Sequence, residues 1–251
     1  MSQIKKIADA VLVAAEAIEK NYTTAIILAA GSSSRMGTGL NKQFATVDGK
    51  PVLAHTLLAY QACPLIREII VVTKECDFEA VQSIREEYAI TKLKKLVTGG
   101  ETRQDSAKNG FENISEKTRF VAIADGARCL TTPEQIAKVC LAAYRHNAAS
   151  AAHLVSDTVK RATLLGAVTE TVDRKNLWQV QTPQVFQISL YAAALGKAKR
   201  DGIKVTDDNA LIENLGYTVY LTECGVSNVK ITTTDDLPLA EAILQYRGSK
   251  K

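Results

Sequence analysis

Residues 25 to 37 read Ala-Ile-Ile-Leu-Ala-Ala-Gly-Ser-Ser-Ser-Arg-Met-Gly, and this stretch decides the fold class. Its first four residues are a short apolar run, which is typical of a buried strand. Small and polar residues follow at once, and their composition indicates a loop. A buried strand that ends in a glycine and serine loop is typical of α/β proteins, in which ligands bind at the carboxyl ends of strands.

Apolar runs and helical periods alternate along the chain as far as residue 146. Further strands are predicted at 69–73, 93–97 and 120–124, and helices at 52–61, 78–88, 103–112 and 133–146. Because right-handed crossovers place successive strands side by side, four βα units predict a parallel sheet covered by helices on both faces. We therefore expect an α/β fold with a Rossmann-like, mostly parallel sheet.

The alternation stops after residue 150. Residues 151 to 183 contain strand-like segments only, with turn signals at Gly166 and Asp173, which favours an antiparallel β-arm. Beyond the arm we expect helices near 190–200, 207–215 and 237–246, and strands near 218–222 and 229–232. The expected organisation is an amino-terminal helical extension (1–21), a core (22–150 and 185–251) and a β-arm (151–184).

The first twenty residues resemble a signal peptide superficially, because two lysines precede an apolar stretch. Asp9 and Glu16 interrupt that stretch, and its apolar residues recur every three or four positions, as on one face of a helix. We prefer a structural helix, with a targeting segment as the alternative. No window reaches the roughly 18 uninterrupted apolar residues that a membrane span needs. The expected location is the cytoplasm, without a membrane partner.

Composition excludes several classes of protein. Lysine and arginine total 31 against 27 aspartate and glutamate, and this dispersed excess does not predict a nucleic-acid partner. Small anionic ligands remain compatible with it. Five cysteines without a CxxC pair fit a reducing compartment and neither a disulfide framework nor a zinc site. The three histidines lack ligand spacing, so any metal should be bound by oxygen atoms.

The loop of residues 29–37 has the composition of a phosphate cradle. Gly31 and small neighbours let backbone N–H groups approach phosphate oxygens, and Arg35 and Lys42 bring positive charge. The loop matches neither the GxGxxG fingerprint nor the GK[ST] ending of a nucleoside-triphosphate loop. A plain tight turn with surface cations is the alternative.

Two further loops follow predicted strands. Gly99 and Gly100 precede a helix whose first turn offers Arg103 and Ser106, which suits a nucleobase or ribose, although a simple capped helix start has the same pattern. Asp125 ends a strand, where carboxylates often bind Mg²⁺ that bridges phosphates. One carboxylate alone does not define a metal site.

Eight motifs occur in one order: AAGSSSRM, NKQF, GGETRQDS, DGAR, DTVKR, DRKNLWQVQTPQVF, TDDNAL and NVKIT. With them the chain resembles the 2-C-methyl-D-erythritol 4-phosphate cytidylyltransferase family over about residues 24 to 245. The resemblance implies that a polyol phosphate attacks the α-phosphorus of CTP in line and expels pyrophosphate, with Mg²⁺ as cofactor. No Ser/His or Cys/His nucleophile pattern competes with this chemistry, which depends on positioning and charge.

The resemblance also implies roles for residues. Catalytic charge at the reacting phosphates would come from Arg35, Lys42 and Lys230; the nucleotide would contact Ala29, Ala30, Gly31, Gly99, Gly100 and Ser106. The acceptor would contact Asp125, Arg128, Thr158, Arg174 and Thr206, with Asp125 also holding the metal. Thr158 and Arg174 would reach across from the arm of a second subunit, which implies a homodimer with composite sites. Without the resemblance, these two are polar residues of a solvated hairpin, and Lys230 is a solvated lysine in an edge strand.

Three residues depart from the family pattern. Asn41 and Cys129 stand where proline is usual, and Gly126 stands where alanine is usual. Because proline fixes φ, we expect looser loops around Lys42 and Arg128. Cys129 is expected either to be a reactive thiolate facing the acceptor phosphate or to be a small buried residue.

Other functions remain open at this level. Ribitol 5-phosphate cytidylyltransferases share the fold, the arm and much of the QTPQ segment, and a cytidylyltransferase for acidic sugars is a more distant alternative. An inactive nucleotide-binding regulatory homologue is the alternative outside catalysis. The presence of Arg35, Lys42, Asp125 and Lys230 argues against lost activity.

Overall fold

The computed structural model describes residues 20–31 and 41–249. The predicted amino-terminal helix, apart from its last two residues, lies outside these ranges, as does Arg35.

Eleven strands and seven α-helices make up the described part of the chain. The strands are β1 (Thr23–Leu28), β2 (Thr46–Val47), β3 (Lys50–Pro51), β4 (Ile66–Thr73), β5 (Leu93–Thr98), β6 (Phe120–Asp125), β7 (Ala148–Leu154), β8 (Val159–Ala162), β9 (Val168–Val172), β10 (Trp178–Gln187) and β11 (Tyr220–Glu223). The helices are α1 (Val52–Ala62), α2 (Phe78–Glu87), α3 (Arg103–Phe111), α4 (Pro133–His146), α5 (Ile188–Asp201), α6 (Asp208–Asn214) and α7 (Asp236–Gly248).

Seven strands form one sheet in the order β11-β7-β10-β6-β1-β4-β5. Strand β10 is antiparallel to both of its neighbours, and the other adjacent strands are parallel. This confirms the prediction of an α/β fold with a mostly parallel sheet. Strands β8 and β9 form a separate antiparallel ribbon.

Helices cover both faces of the sheet because the central strands are apolar on both sides. All six residues of β1 and of β6 are buried. Ala25 and Ile27 pack on one face with residues of α1, α2 and α4, and Ile26 and Leu28 pack on the other with residues of α3, α5 and α6. The helix α3 approaches β1 closely because it has glycine at 110, where a Cβ atom would lie 2.4 Å from Ile26 Cγ2.

Two local predictions need correction. Residues 229–232 form no strand; Ile231 N donates one hydrogen bond to Ala127 O, and Asp236 Oδ2 accepts from the backbone of Thr232 and Thr233. This segment therefore leads into α7 and does not join the sheet. In addition, β7 and β10 belong to the large sheet, so both ends of the 151–184 range include core residues. Residues 155–177 connect these two strands and carry the β8–β9 ribbon.

Within the described ranges, no helix combines the length and the apolar composition that crossing a membrane requires.

Candidate active site

The loops that follow β1, β5 and β6 border a cleft of about 420 Å³ at the carboxyl edge of the sheet. Eight residues singled out in the sequence line this cleft: Ala30, Gly31, Lys42, Gly100, Arg103, Ser106, Asp125 and Lys230. Parallel strands bring these loops together because their carboxyl ends meet at the same edge. The cleft therefore joins the glycine loops to a charged group at the end of β6.

One side of the cleft consists of two loops in contact. A Cβ atom at Gly99 would lie 2.4 Å from Ala30 Cβ, so only glycine permits this approach of the 99–106 loop to the 29–31 loop. The Ser106 hydroxyl accepts a hydrogen bond from Gly100 N at 3.1 Å, and Thr102 caps α3. Ala29, at the start of the 29–31 loop, is buried, and its N–H donates to Val72 O in β4. The result is a narrow wall of backbone atoms.

Asp125 is the centre of charge in the cleft. Its Oδ2 lies 2.9 Å from Lys230 Nζ and 3.4 Å from Arg128 Nε, and its Oδ1 lies 3.5 Å from Arg103 Nε. Burial by itself would raise the pKa of Asp125, but the three cations lower that pKa to about 2. The carboxylate is therefore ionised at every physiological pH.

Arg128 is held from two sides. One guanidinium nitrogen donates to Asn228 O at 2.6 Å, and Nε faces Asp125. Asn228 is fully buried, and its side chain bonds to Thr131, Gln181 and Thr182 O. The Thr182 hydroxyl in turn accepts from Asp125 N at 3.0 Å.

The loop that carries Lys42 is anchored by Asn41. Its side-chain amide donates to Asp77 Oδ2 at 2.9 Å, and its side-chain oxygen accepts from Gln43 N at 3.1 Å. These hydrogen bonds oppose the looseness expected from the missing proline, because they fix the turn by a different means. Gly126 lies behind the same loop, where a Cβ atom would meet Gln43 Oε1 at 2.8 Å.

Cys129 does not line the cleft. It is 3% exposed and packs with Val52, Leu130 and Ile231, and burial raises the pKa of its thiol to about 11. The prediction of a reactive thiolate is therefore wrong, and the alternative of a small buried residue is confirmed.

Of the five expected acceptor contacts, only Asp125 lines the cleft among the described residues; Arg128 contacts the Asp125 carboxylate, and the other three do not reach the cleft of their own chain. Thr158 and Arg174 are exposed residues of the 155–177 segment, in which Arg174 donates to Ser156 O. Thr206 is exposed and lies just before α6.

Arg103, which the sequence offers for contact with a nucleobase or ribose, lines the cleft and pairs instead with two carboxylates, Asp125 and Asp208. Asp208 and Asn228 support the cleft from behind, and sequence reasoning assigned neither of them a role. Arg103, Asp208 and Asn228 all occur in motifs quoted above, so their presence was visible. The contacts of Arg103 with Asp208 and of Arg128 with Asn228 could not be predicted, since these partners are far apart in the sequence.

The donor set suits a hard cation only together with a substrate. In the described ranges no three His, Cys, Asp or Glu side chains cluster as a metal site, and Asp125 is the central carboxylate of the cleft. Mg²⁺ is commonly bound through one or two carboxylates plus substrate phosphates and water. Asp125 offers one such carboxylate, in a cleft of about 420 Å³ that Lys42, Arg103 and Lys230 also line, so it fits that mode.

Comparison with known proteins gives a consistent result. A family profile described as IspD, 2-C-methyl-D-erythritol 4-phosphate cytidylyltransferase, matches residues 23–246. The enzyme of that name from Syntrophus aciditrophicus is 42% identical over 227 residues, covering 90% of this chain and 97% of its own. The crystal structure of 4-diphosphocytidyl-2C-methyl-D-erythritol synthase from Anaerococcus prevotii superposes with a TM-score of 0.80 at 31% identity, covering 90% and 99%. The 2-C-methyl-D-erythritol 4-phosphate cytidylyltransferase of Thermus thermophilus gives 0.73 at 30% identity, covering 88% and 98%.

Proposed function

The chain belongs to the 2-C-methyl-D-erythritol 4-phosphate cytidylyltransferase family, and we propose that it transfers CMP from CTP to 2-C-methyl-D-erythritol 4-phosphate, releasing pyrophosphate for isoprenoid precursor synthesis. The observation that carries this proposal is the shared cleft. The glycine loops line it together with Asp125 and Lys230, and Arg128 contacts the Asp125 carboxylate.

The chemistry requires positioning more than proton transfer. A phosphate oxygen of the acceptor forms a bond to the α-phosphorus of CTP while the bond from that phosphorus to the bridging oxygen of pyrophosphate breaks. The attacking phosphate is already ionised near neutral pH, so the step needs no general base. Aligned substrates and fixed positive charge are the main requirements.

On the nucleotide side, Gly99, Gly100 and Ser106 would hold cytidine, and Ala29, Ala30 and Gly31 would line the phosphates. The narrow backbone wall supports this assignment because a base can be read by backbone atoms only at close range. Lys42 lines the cleft and, together with Arg35, would stabilise charge on the α-phosphate and on pyrophosphate. Arg35 lies outside the described residues, so its role rests on the family resemblance.

On the acceptor side, Arg128, Lys230 and Thr206 would bind the polyol phosphate beside Asp125. Lys230 is the most exposed of the three cations on Asp125, with 36% of its side chain accessible, so it is the cation best placed to turn towards a phosphate. Asp125 would hold Mg²⁺. When bound there, Mg²⁺ would neutralise phosphate charge and help to orient the triphosphate.

We assign Thr158 and Arg174 to the site of a second subunit. Both residues are exposed, and the ribbon that they flank carries Leu164 and Leu165, which are fully or almost fully exposed. A two-stranded ribbon is marginally stable alone, so an exposed apolar tip supports burial against another copy. The 155–177 segment would then form the arm of a homodimer with two composite sites.

Cytoplasmic location is supported by the cysteines. All five lie in the described part of the chain and none is in a disulfide, which suits a reducing compartment.

Release of pyrophosphate is the direct test of the activity. The protein should use CTP and 2-C-methyl-D-erythritol 4-phosphate, should prefer CTP over ATP, GTP and UTP, and should lose activity with a chelator. Preferred use of ribitol 5-phosphate would replace the assigned acceptor, although the relatives described above are all named for the erythritol compound. Absence of release with any acceptor would favour the regulatory alternative.

Subunit mixing tests the composite site. An Arg35→Ala chain mixed with an Arg174→Ala chain should regain part of the activity, because one of the two sites in the heterodimer would keep both arginines. A monomer at assay concentration, or no complementation, would contradict the shared site.

A further inference from the structure

Arg103 connects two carboxylates that belong to different parts of the fold. It is the first residue of α3, directly after the nucleotide loop, and it lines the cleft. Its Nη1 lies 2.5 Å from Asp208 Oδ2, at the start of α6, and its Nε lies 3.5 Å from Asp125 Oδ1, at the end of β6.

Asp208 holds its end of this contact rigidly. The residue is 1% exposed, its Oδ1 accepts a hydrogen bond from the Tyr191 hydroxyl at 2.6 Å, and its backbone N–H donates to Gln184 Oε1 at 2.9 Å. A buried carboxylate needs hydrogen-bonded or charged partners, and Arg103 is one of them. Asp208 therefore anchors the Arg103 guanidinium from the buried side, whether or not the cleft is occupied.

The neighbouring Gln104 fastens the same helix turn to the segment before Thr206. Its side-chain amide donates to Ile203 O at 3.2 Å, and its side-chain oxygen accepts from Val205 N at 3.1 Å. The first turn of α3 thus contacts both the nucleotide loop and residues 203–206, which we call the acceptor segment because they end at Thr206.

The three cations around Asp125 divide its two oxygens between them. Lys230 and Arg128 approach Oδ2, whereas Arg103 approaches Oδ1, the other oxygen of the carboxylate. Burial by itself would lower the pKa of Arg103, but the carboxylates of Asp208 and Asp125 raise it, so the guanidinium stays charged.

We propose that Arg103, anchored by buried Asp208, is a positioning residue that orients the Asp125 carboxylate and keeps the nucleotide loop in register with the acceptor segment. The inference rests on the proposed cytidylyl transfer. In-line displacement is sensitive to such positioning, since a misplacement of about 1 Å reduces rates by about 100-fold.

The test compares Asp208→Asn with a matched control, Asp207→Asn. The neighbouring Asp207 caps α6 and accepts from Gln184, and no described contact joins its side chain to Arg103. We expect Asp208→Asn to lower kcat by about 100-fold and to change the dissociation constant of CTP by less than about threefold. In Asp207→Asn, both kcat and the dissociation constant of CTP should stay within about threefold of the wild-type values. All measurements are made below the unfolding temperature of each variant.

Arg103→Lys serves as the second variant, because a lysine ammonium keeps the charge but lacks the fork that serves both carboxylates. We expect an intermediate loss of kcat of about tenfold. The Nε–H signal of Arg103 in a ¹⁵N spectrum, identified by its absence in Arg103→Lys, gives a readout that does not depend on turnover. It should be resolved in the wild type and broadened or shifted in Asp208→Asn.

Wild-type kcat in Asp208→Asn would overturn the proposal, even if the variant melts earlier, because the pair would then be only structural. Equal losses in Asp208→Asn and Asp207→Asn would also overturn it. A wild-type protein without transferase activity would refute the proposed function, and the Arg103 signal would then decide alone: a signal unchanged in Asp208→Asn overturns the anchoring.

Discussion

We expect Cys129 to react slowly with iodoacetamide although the next residue, Arg128, is positively charged. The guanidinium of Arg128 faces Asp125 and Asn228 O, whereas the Cys129 side chain packs with Val52 and Leu130. Burial of Cys129 raises the pKa of its thiol to about 11. Since the thiolate is the nucleophile, a raised pKa lowers reactivity at neutral pH.

The size of the effect follows from ionisation and basicity together. At pH 8 an ordinary thiol with a pKa of about 8.5 is about one-quarter thiolate, whereas a thiol with a pKa of about 11 is about 0.1% thiolate. The more basic thiolate is about tenfold more nucleophilic, which leaves a net reduction of about 20-fold before steric protection. With only 3% of Cys129 exposed, access slows the reaction further.

Alkylation followed by peptide mass spectrometry measures each cysteine separately. Cys76 is exposed and serves as the internal reference, and buried Cys63 and Cys140 show how far burial alone protects. The rate at Cys129 should also rise about tenfold per pH unit between pH 8 and pH 10, because its pKa lies above that range. A rate equal to that of Cys76 at pH 8, or a plateau below pH 9, would refute this account of the loop.

Three further outcomes are expected. Gly110→Ala should destabilise the fold by about 1–3 kcal/mol because its Cβ would meet Ile26. The control Gly196→Ala, in an open part of α5, should be neutral or stabilising by up to about 1 kcal/mol. Urea unfolding compares the two variants, and equal effects would contradict the close packing of α3 on β1. Asp125→Asn should be about 2 kcal/mol less stable than wild type at pH 7, and this difference should be about half as large at pH 3. The folded-state pKa of Asp125, about 2, lies below its unfolded value, so the stabilisation is present above about pH 4 and is lost as pH falls through 2. A stability difference that stays constant with pH in denaturant titrations would be inconsistent with this. Asn41→Ala removes two loop hydrogen bonds, each worth about 1 kcal/mol, and should raise KM for CTP about fivefold in the pyrophosphate assay. An unchanged KM would show that these two hydrogen bonds do not position Lys42.

The positions of the central strands could be predicted because burial on both faces leaves a local pattern in the sequence. The predicted segments 25–28 and 120–124 fall within β1 and β6. The prediction missed Thr23 and Thr24, which are polar yet fully buried, since their hydroxyls pair with Tyr144 and Thr118 at 2.7 and 2.8 Å. Buried hydroxyls are tolerated when they are hydrogen-bonded, and the partner is invisible in a local window.

The location of the cleft could also be predicted, since a parallel sheet places the loops after its strands at one edge. Gly100, Ser106 and Asp125 were singled out for this reason, and all three line the cleft. Their separate chemical roles remain assignments from the family resemblance, which the experiments above test.

The sequence by itself determined the α/β alternation and the loops that carry the charged residues, because both depend on residues close together in the chain. Only the tertiary structure decided that β10 runs antiparallel between β7 and β6, and that 229–232 is not a strand, because pairing depends on which edges are free. It alone decided that Cys129 is buried and that Arg103 meets Asp208, 105 residues away. Burial and ion pairing at such separations depend on how the helices pack on the sheet, and no local pattern of residues records that packing.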